Sequence, residues 1–470
     1  MKLLIKSGTL VSARECLLHD ILLDGETIAE VSPEILPTGD MQVIDATGKY
    51  ILPGGVDVHT HFDLPMFGTV SSDDHYTGHK AAAFGGTTTV LDFVPLDAPS
   101  LKENIDLWRQ KAEKAAIDYG FHMNITRYSP EVLNEIPSLL DEGISSIKVF
   151  TAYNKNMRLY DDEIFEVMRV ASKNHLLTMA HVENGDVIEI LVKEALAAGK
   201  TAPIYHAETR PSWGAVESAL RAVALSAMAE TPLYLVHMNA GGEVDQLAYA
   251  KAYDLPVYGE TCPQYLFFSA EDLMKPDGAK WICSPPMRTK KDANHLIEGL
   301  QNGTIDVIGT DHCAFFYDGS KPILYEGIPI AIPGKELGVH DFTKIPNGLP
   351  GVGDRLPILW TKLVNTGLLN PNQFVALNCT NPAKLFGLYP KKGSLKVGAD
   401  ADVVIWNPNK EYTYGVELAQ HRTDYNLYEG WMLKGYPESV FLRGRKIVEK
   451  GQWLGQAGYG EYQYRKPFIV

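Results

Sequence analysis

The chain has 470 residues, of which 45% are hydrophobic and 21% charged, and its formal net charge is −15. An acidic chain without a basic run is a poor partner for nucleic acid or for an anionic membrane, so neither is expected as a partner. Five scattered cysteines without a CxxC pair argue against a disulfide framework and a thiolate zinc site. No apolar run approaches the ~20 residues of a membrane span. The first six residues run into a strand pattern without a leader-like apolar region. We therefore expect a cytoplasmic protein.

Residues 1–52 show the pattern of a small β domain. Short strand-like runs are separated by turns at Asp24-Gly25 and Thr47-Gly48, and no helical period interrupts them. The same pattern returns near the end of the chain, in residues 401–406, 439–442 and 446–449. Because domain termini often lie close together, we expect segments 1–52 and 386–450 to pair into one β-sandwich.

Between these segments the pattern changes to alternating strands and helices. Eight strand candidates can be counted, at residues 56–61, 87–93, 119–125, 146–150, 176–181, 233–237, 257–261 and 306–311. Helical patterns separate most of them, which favours a parallel sheet. Eight such units predict an α/β fold with a (β/α)8 barrel over residues 53–385, with its active site at the carboxyl ends of the strands. Residues 451–470 form a C-terminal tail, and the apolar, Pro-rich loop at 322–333 is placed to cover a site.

Two histidines end the first barrel strand, and His59 and His61 point the same way because side chains alternate along a strand. His-x-His alone is weak evidence for a metal site, since two ordinary strand histidines give the same pattern. Other strands end in further candidate ligands, namely Lys148, His181, His237 and Asp311. Each has an ordinary interpretation. His181 and His237 could be core histidines, Lys148 could indicate that its strand is wrongly placed, and Asp311 could be a helix N-cap. Their joint position at one end of a barrel predicts a metal centre.

The number of ions depends on how many ligands there are and on their charge. Three neutral imidazoles would hold one catalytic zinc ion. Four histidines with Asp311 are enough for two ions ~3.5–4 Å apart, if an anion bridges them. We expect no spare Glu or Asp at a strand end to supply this bridge, and the ammonium of Lys148 would be repelled by two cations. A carbamate formed from the Lys148 amine and carbon dioxide would supply the missing bridge.

Nine short motifs carry a resemblance to a known family. They are GGVDVHTH at 54–61, FGGTTT at 84–89, SIKVF at 146–150 with Tyr153, HVENG at 181–185, YHAETRP at 205–211, GETCPQY at 259–265, SPP at 284–286, TDHC at 310–313 and IPNG at 345–348. With these motifs the chain resembles the cyclic amidohydrolases, and specifically the dihydropyrimidinase/D-hydantoinase family, over nearly its whole length.

The resemblance implies a binuclear centre of two divalent metal ions, most often Zn²⁺ in this family. His59, His61 and Asp311 would hold one ion. His181 and His237 would hold the other. Carbamylated Lys148, an N6-carboxylysine, would lie between the ions together with a hydroxide.

The resemblance also implies a reaction, the hydrolysis of the cyclic amide bond of dihydropyrimidines or 5-substituted hydantoins to N-carbamoyl amino acids. The bridging hydroxide would attack the ring carbonyl, and Asp311 would carry the proton to the leaving nitrogen. Tyr153 would donate to the developing oxyanion. Ser284 and Asn347 would hold the amide edge of the small cyclic diamide through their backbone groups.

The chain differs from a sister family at one position that bears on the substrate. Asp63 stands where dihydroorotases carry an arginine for the substrate carboxylate, which argues against an acidic substrate. Met66 follows the first strand, and Leu159 and Tyr160 follow the fourth. In hydantoinases these stretches form loops that face the exocyclic group of the substrate, so these three residues are expected to bind a bulky apolar substituent.

Other functions remain as alternatives. Within the hydrolases, an allantoinase-like ring opening is the nearest rival. A Schiff-base lyase would use Lys148 as its nucleophile, but it leaves four histidines without a role. A non-catalytic scaffold related to dihydropyrimidinases would have lost metal ligands, whereas all six are present here. By family analogy we expect a homo-oligomer, a tetramer, with the 459–470 tail as a candidate contact.

Overall fold

The computed structural model describes residues 2–325 and 328–469. The N-terminal segment consists of strands. They are β1 (Lys2–Val11), β2 (Cys16–Asp24), β3 (Thr27–Ser32), β4 (Met41–Asp45) and β5 (Tyr50–Pro53). Their turns fall where the sequence predicts them, at Gly25 and Gly48, which have φ angles of 58° and 73°. A residue without a side chain adopts this left-handed conformation at little cost.

A parallel barrel follows the N-terminal segment, and two short hairpins interrupt its connections. The strands are β6 (Gly55–Thr60), β7 (Pro65–Met66), β8 (Thr69–Val70), β9 (Thr87–Val94), β10 (Asp118–Asn124), β11 (Ser146–Phe150), β12 (Leu177–His181), β13 (Leu233–Met238), β14 (Val257–Thr261), β15 (Val307–Ile308), β16 (Ile323–Tyr325) and β17 (Ile328–Ile330). The barrel order is β15-β14-β13-β12-β11-β10-β9-β6. His61 N donates to His312 O at 2.8 Å and brings the first and last strands together. The predicted (β/α)8 barrel is confirmed.

The eighth barrel strand is shorter than the sequence predicts. It ends at Ile308, and the next residues leave the strand geometry. Thr310 Oγ1 donates to the Asp57 carboxylate at 2.7 Å instead of extending the ladder. Asp311 then has a φ of 53°. The segment therefore turns at the point where the predicted ligand Asp311 lies.

Helices connect the barrel strands and continue beyond the last of them, and several begin at a capping side chain. They are α1 (Thr77–Phe84), α2 (Leu101–Lys111), α3 (Pro130–Glu135), α4 (Asp161–Lys173), α5 (Gly185–Ala197), α6 (Ile204–Glu208), α7 (Ser212–Ala229), α8 (Gly241–Ala252), α9 (Pro263–Phe267), α10 (Lys290–Gln301), α11 (Arg355–Leu359), α12 (Pro371–Val375), α13 (Asn381–Leu385) and α14 (Val416–Ala419). Ser100, Asn184 and Thr289 each accept a hydrogen bond from the first turn of their helix. None of the helices in the described part of the chain is long and apolar enough to cross a membrane.

The C-terminal segment returns to the N-terminal sheet. Its strands are β18 (Val403–Thr413), β19 (Met432–Leu442), β20 (Arg445–Glu449) and β21 (Gln452–Trp453). β18 pairs antiparallel with β5, so both segments belong to one mixed sheet. Ile5, Ile21, Val403 and Phe441 pack together in a core separate from that of the barrel. The expected pairing of the terminal segments is confirmed. On this separate core we propose the domain boundaries expected from the sequence, 1–52 with 386–450, 53–385, and a tail from 451.

The C-terminal tail lies along its own barrel. Tyr119 N donates to Glu461 O at 3.0 Å, and Gln463 N donates to Tyr119 O at 2.7 Å. Phe468 joins the apolar cluster that fills the barrel interior. The tail thus helps to close the amino end of the barrel, while the carboxyl end holds the site. Val470, the last residue of the expected contact segment, lies outside the described residues.

Candidate metal centre

The six predicted ligands lie together at the carboxyl end of the barrel. His59 and Lys148 lie within β6 and β11, and His181 is the last residue of β12. His61 follows β6, His237 lies near the end of β13, and Asp311 follows β15. Parallel strands in a closed barrel bring their carboxyl ends to one rim, so residues far apart in sequence meet here.

Asp311 forms the centre of one half of this cluster. Its Oδ1 atom lies 3.1 Å from His59 Nε2 and 3.1 Å from His61 Nε2. Lys148 Nζ lies 3.1 Å from the same His59 nitrogen. One carboxylate oxygen and two imidazole nitrogens therefore converge beside a buried amine.

His181 and His237 form the other half. His181 Nδ1 lies 2.9 Å from His237 Nε2, and both side chains are buried. The donor atoms of His59, His237 and Asp311 all lie within 4.8 Å of one another, so the two halves are contiguous. Imidazole nitrogens with one carboxylate are a donor set typical of Zn²⁺ and related divalent ions. The residues present fit a divalent metal centre.

Electrostatics favour the ligand forms of most of these side chains. Burial lowers the pKa of His61 to about 4 and places the pKa of His237 well below its usual range. Burial alone would raise the pKa of Asp311, but its contacts with His59 and His61 outweigh burial and hold it well below the usual range. A neutral imidazole and an ionised carboxylate both offer lone pairs to a cation. Burial also lowers the pKa of Lys148 to about 8.

His59 differs from the other histidines. Burial and Lys148 lower its pKa, but the carboxylates of Glu260 and Asp311 outweigh them and leave it raised. Glu260 Oε1 lies 2.6 Å from His59 Nδ1, whereas Asp311 lies next to the other ring nitrogen, Nε2. A proton on Nδ1 leaves Nε2 free to bind a metal ion.

Glu260, a carboxylate that the sequence did not single out, is the fourth residue of β14. Its carboxylate does not bridge the two halves. It accepts hydrogen bonds from the Tyr234 hydroxyl at 3.0 Å and from His237 N at 3.1 Å. Glu183 plays the matching part for His181, with Oε2 3.0 Å from Nε2. Carboxylates in this position fix the orientation and tautomer of metal-binding histidines.

Three residues of the site have a strained backbone. Tyr153, His237 and Asp311 have φ angles of 66°, 39° and 53°, which place non-glycine residues in the left-handed region. Such conformations cost free energy and persist where the surrounding structure imposes them. The fold therefore holds these three side chains in place against a local preference.

A cavity of about 390 Å³ opens above the cluster. Its floor includes five of the six predicted ligands, and His59 lies beneath it. Tyr153, Ser284, Asn347 and Met66 also line the cavity, so the structure brings them together with the metal cluster. Leu64 and Phe67, from the same expected apolar stretch as Met66, line the cavity as well, together with Leu96 and Met157, which the sequence did not single out.

Polar groups on one wall of the cavity are linked to one another. Asn347 Nδ2 donates to Ser284 Oγ at 3.0 Å, and His206 Nε2 lies 3.2 Å from the same oxygen. Burial raises the pKa of Tyr153 above its usual range, although a hydrogen bond with Ser284 opposes this. Tyr153 therefore keeps its hydroxyl proton and remains a hydrogen-bond donor.

The loop after β11 does not place two of the expected substrate contacts at the cavity. Neither Leu159 nor Tyr160 is among the described residues that line the cavity. Leu159 is 3% exposed, packs in the core, and its N donates to Phe150 O at 3.0 Å. Tyr160 is 60% exposed and caps α4. The chain reverses direction after the left-handed Tyr153, so Met157 faces the cavity in their place.

Asp63 also lies away from the cavity. It forms an ion pair with Lys114 at 3.4 Å. Among the described residues that line the cavity, Lys148 is the only lysine or arginine.

The predicted cover at 322–333 contains a hairpin, β16–β17. Thr69 Oγ1, in β8, donates to Pro333 O at 2.5 Å. Its tip, residues 326 and 327, lies outside the described residues.

A (β/α)8 barrel with histidines, a lysine and an aspartate at its catalytic rim defines the class of metal-dependent hydrolases. Residues 50–447 match the model of the amidohydrolase family. The chain is 43% identical to the D-hydantoinase of Geobacillus stearothermophilus, over 100% of this chain and 97% of that one. It is 40% identical to the D-hydantoinase of Streptomyces coelicolor, over 98% and 97%. The crystal structure of dihydropyrimidinase from Brevibacillus agri superposes with a TM-score of 0.95, at 44% identity and full coverage of both chains. The chain belongs to the amidohydrolase family, within its D-hydantoinase and dihydropyrimidinase branch, and a divalent metal site goes with that family.

Proposed function

We propose that the protein hydrolyses the cyclic amide bond of dihydropyrimidines and 5-substituted hydantoins, which gives N-carbamoyl amino acids. One observation carries the proposal: the six candidate ligands and the polar residues Tyr153, Ser284 and Asn347 meet around one cavity. The names of the most similar relatives agree with it. A non-catalytic scaffold is disfavoured because the whole ligand set is present, and a Schiff-base lyase leaves the histidine cluster without a role.

We assign His59, His61 and Asp311 to one divalent ion and His181 and His237 to a second. The distances support this division, since each set has its donor atoms about one hydrogen-bond length apart. Zn²⁺ is the ion that the donor set favours. Bound ions of this kind supply Lewis acidity and activate water at neutral pH.

Lys148 is proposed to carry a carbamate, as N6-carboxylysine. Its Nζ lies 3.1 Å from the metal-facing nitrogen of His59 and 4.2 Å from the centre of the Phe93 ring. Among the described residues no carboxylate forms an ion pair with it. An unmodified ammonium here would repel both cations, whereas a carbamate would offer oxygens to each.

The remaining residues act on the substrate and on protons. Asp311, ionised in the free site, would accept the proton of the attacking water and pass it to the leaving ring nitrogen. Tyr153 would donate its hydroxyl proton in a hydrogen bond to the carbonyl oxygen as negative charge develops there. Ser284 and Asn347 would hold the amide edge of the ring through their backbone groups.

Hydrolysis of a substrate panel tests the proposal. We expect clear activity on dihydrouracil or a 5-substituted hydantoin and little on dihydroorotate, because a carboxylate would meet no free cation in the cavity. Activity is measured as ring opening, followed by chromatography of the N-carbamoyl product. Dihydroorotate as the best substrate would overturn the proposal, and allantoin as the best substrate would establish the alternative.

Met66 gives a finer test of the apolar wall. Met66→Ala should change the preference among 5-substituents by ~1–3 kcal/mol, the usual contribution of an apolar pocket contact. The measurement compares kcat/KM for dihydrouracil and a 5-aryl hydantoin. Met274→Ala is the matched control, because this methionine is 70% exposed and is not among the described residues that line the cavity. An unchanged preference in Met66→Ala would contradict the assignment.

We also propose a cytoplasmic homo-oligomer, a tetramer by family analogy. Exposed apolar side chains on the helices α5 and α7 support self-association, and they include Ile190, Trp213 and Met228. Light scattering should give a mass near four chains, and Ile190→Glu should lower it. A monomeric wild-type protein would refute this proposal. The C-terminal tail is not proposed as the contact, because it is bound to its own barrel.

A further inference from the structure

Lys335 is a buried lysine with no place in the mechanism above. It begins the 3₁₀ turn Lys335–Gly338, beyond the hairpin β16–β17, and its side chain is only 1% exposed. Among the described residues it has no carboxylate partner, and burial lowers its pKa to about 7. Burying an amine in this way costs free energy unless good hydrogen bonds compensate. Its hydrogen bonds therefore show what the residue holds in place.

Lys335 Nζ donates to two backbone carbonyls on separate segments. The distances are 2.9 Å to Ile282 O and 3.0 Å to Pro346 O. Ile282 is two residues before Ser284, and Pro346 is the residue directly before Asn347. A single ammonium or amine thus ties together the two segments that carry the proposed ring-binding residues.

Individual contacts, rather than regular secondary structure, hold these two segments, and the Tyr265 hydroxyl also donates to Pro285 O at 2.9 Å. Neither Ser284 nor Asn347 lies in a helix or a strand, so no regular ladder fixes their backbone. Gly348 N donates to Ile282 O at 3.1 Å, and Asn347 Nδ2 donates to Ser284 Oγ at 3.0 Å. All of these contacts surround the same junction, and Lys335 is its buried centre.

We propose that Lys335 is a positioning residue that sets the spacing of Ser284 and Asn347 for the amide edge of the substrate ring. This assignment rests on the proposed function, since it concerns the same cavity. Lys335 does not touch the reacting atoms, and it acts through the backbone of the two residues that bind the ring. The contact it supports is common to every cyclic diamide, whatever the 5-substituent.

Lys335→Met tests the proposal, because methionine fills a similar volume without a donor. We expect KM to rise about tenfold while kcat changes less than threefold and metal content is unchanged, since ring binding weakens but the metal cluster does not move. The rise in KM should be equal for dihydrouracil and for a 5-aryl hydantoin. A general loosening of the cavity would instead affect the bulky substrate more.

Lys335→Gln provides a second variant that keeps a donor, and it should recover part of the lost affinity. Lys344→Met is the control, because this lysine is 69% exposed and lies on the same segment. An unchanged KM in Lys335→Met would overturn the proposal. So would loss of folding or of metal in both Lys335 variants, which would show a purely structural role.

The two proposals fail in different ways. If the wild-type protein opens no cyclic diamide, the proposed function is wrong. If the wild type is active and Lys335→Met has the wild-type KM for both substrates, only the positioning role is wrong.

Discussion

Lys148→Ala is expected to lose both bound metal and hydrolytic activity. The amine of Lys148 lies 3.1 Å from His59 Nε2, at the junction of the two ligand sets. If its carbamate joins the two ions, its removal leaves two cations close together without an anion between them. Metal content by mass spectrometry and ring-opening rates are the measurements, and activity should fall to the background.

Three comparisons sharpen this result. Lys148→Arg should be no better than Lys148→Ala, because a guanidinium stays protonated and forms no carbamate. Acetate or propionate supplied with metal should restore part of the Lys148→Ala activity by filling the vacated position. Lys155→Ala is the control, because Lys155 lies on the loop that follows β11 and its side chain is 85% exposed, so unchanged activity is expected. A fully active Lys148→Ala enzyme would contradict the carbamate and the role of Lys148 together.

The cluster of candidate ligands could be predicted from sequence because strand ends in a barrel share one rim. His59 and His61 follow from two-residue alternation on one strand. Lys148 and His237 follow from counting strands. No spacing rule connects these residues directly, so the fold class had to be inferred first. The confirmed barrel and the convergence of these side chains rest on the same pattern of eight strands.

The residues that support the ligands could not be predicted in the same way. Glu260 lies near a strand end, but its contact with His59 Nδ1 depends on the distance between β14 and β6 across the barrel. Leu159 and Tyr160 were expected at the cavity because the sequence does not show the left-handed turn at Tyr153. Lys335 lies in an irregular segment, where neither a hydrophobic period nor a capping pattern in the sequence indicates that a side chain is buried.

Asp311→Asn is expected to lower kcat by about 10²–10⁴, the usual range for loss of a general acid–base group. The amide keeps the shape of the side chain and one oxygen, but it cannot accept and return a proton. The Oδ1 atom lies 3.1 Å from both His59 and His61, so this residue is both a proposed ligand and the proposed proton carrier. His61 and His59 remain to hold metal, so most of the metal content should persist.

The split between metal content and kcat identifies the role of Asp311. Asp306→Asn is the matched control, because Asp306 lies near the other end of the same strand and pairs with Lys251 at 2.8 Å, away from the cavity. It should leave kcat and metal content unchanged. Loss of metal in proportion to loss of activity in Asp311→Asn would reduce Asp311 to a ligand alone. Wild-type kcat in Asp311→Asn would remove it from the proton transfer, because an asparagine there has no titratable group to carry the proton to the leaving nitrogen.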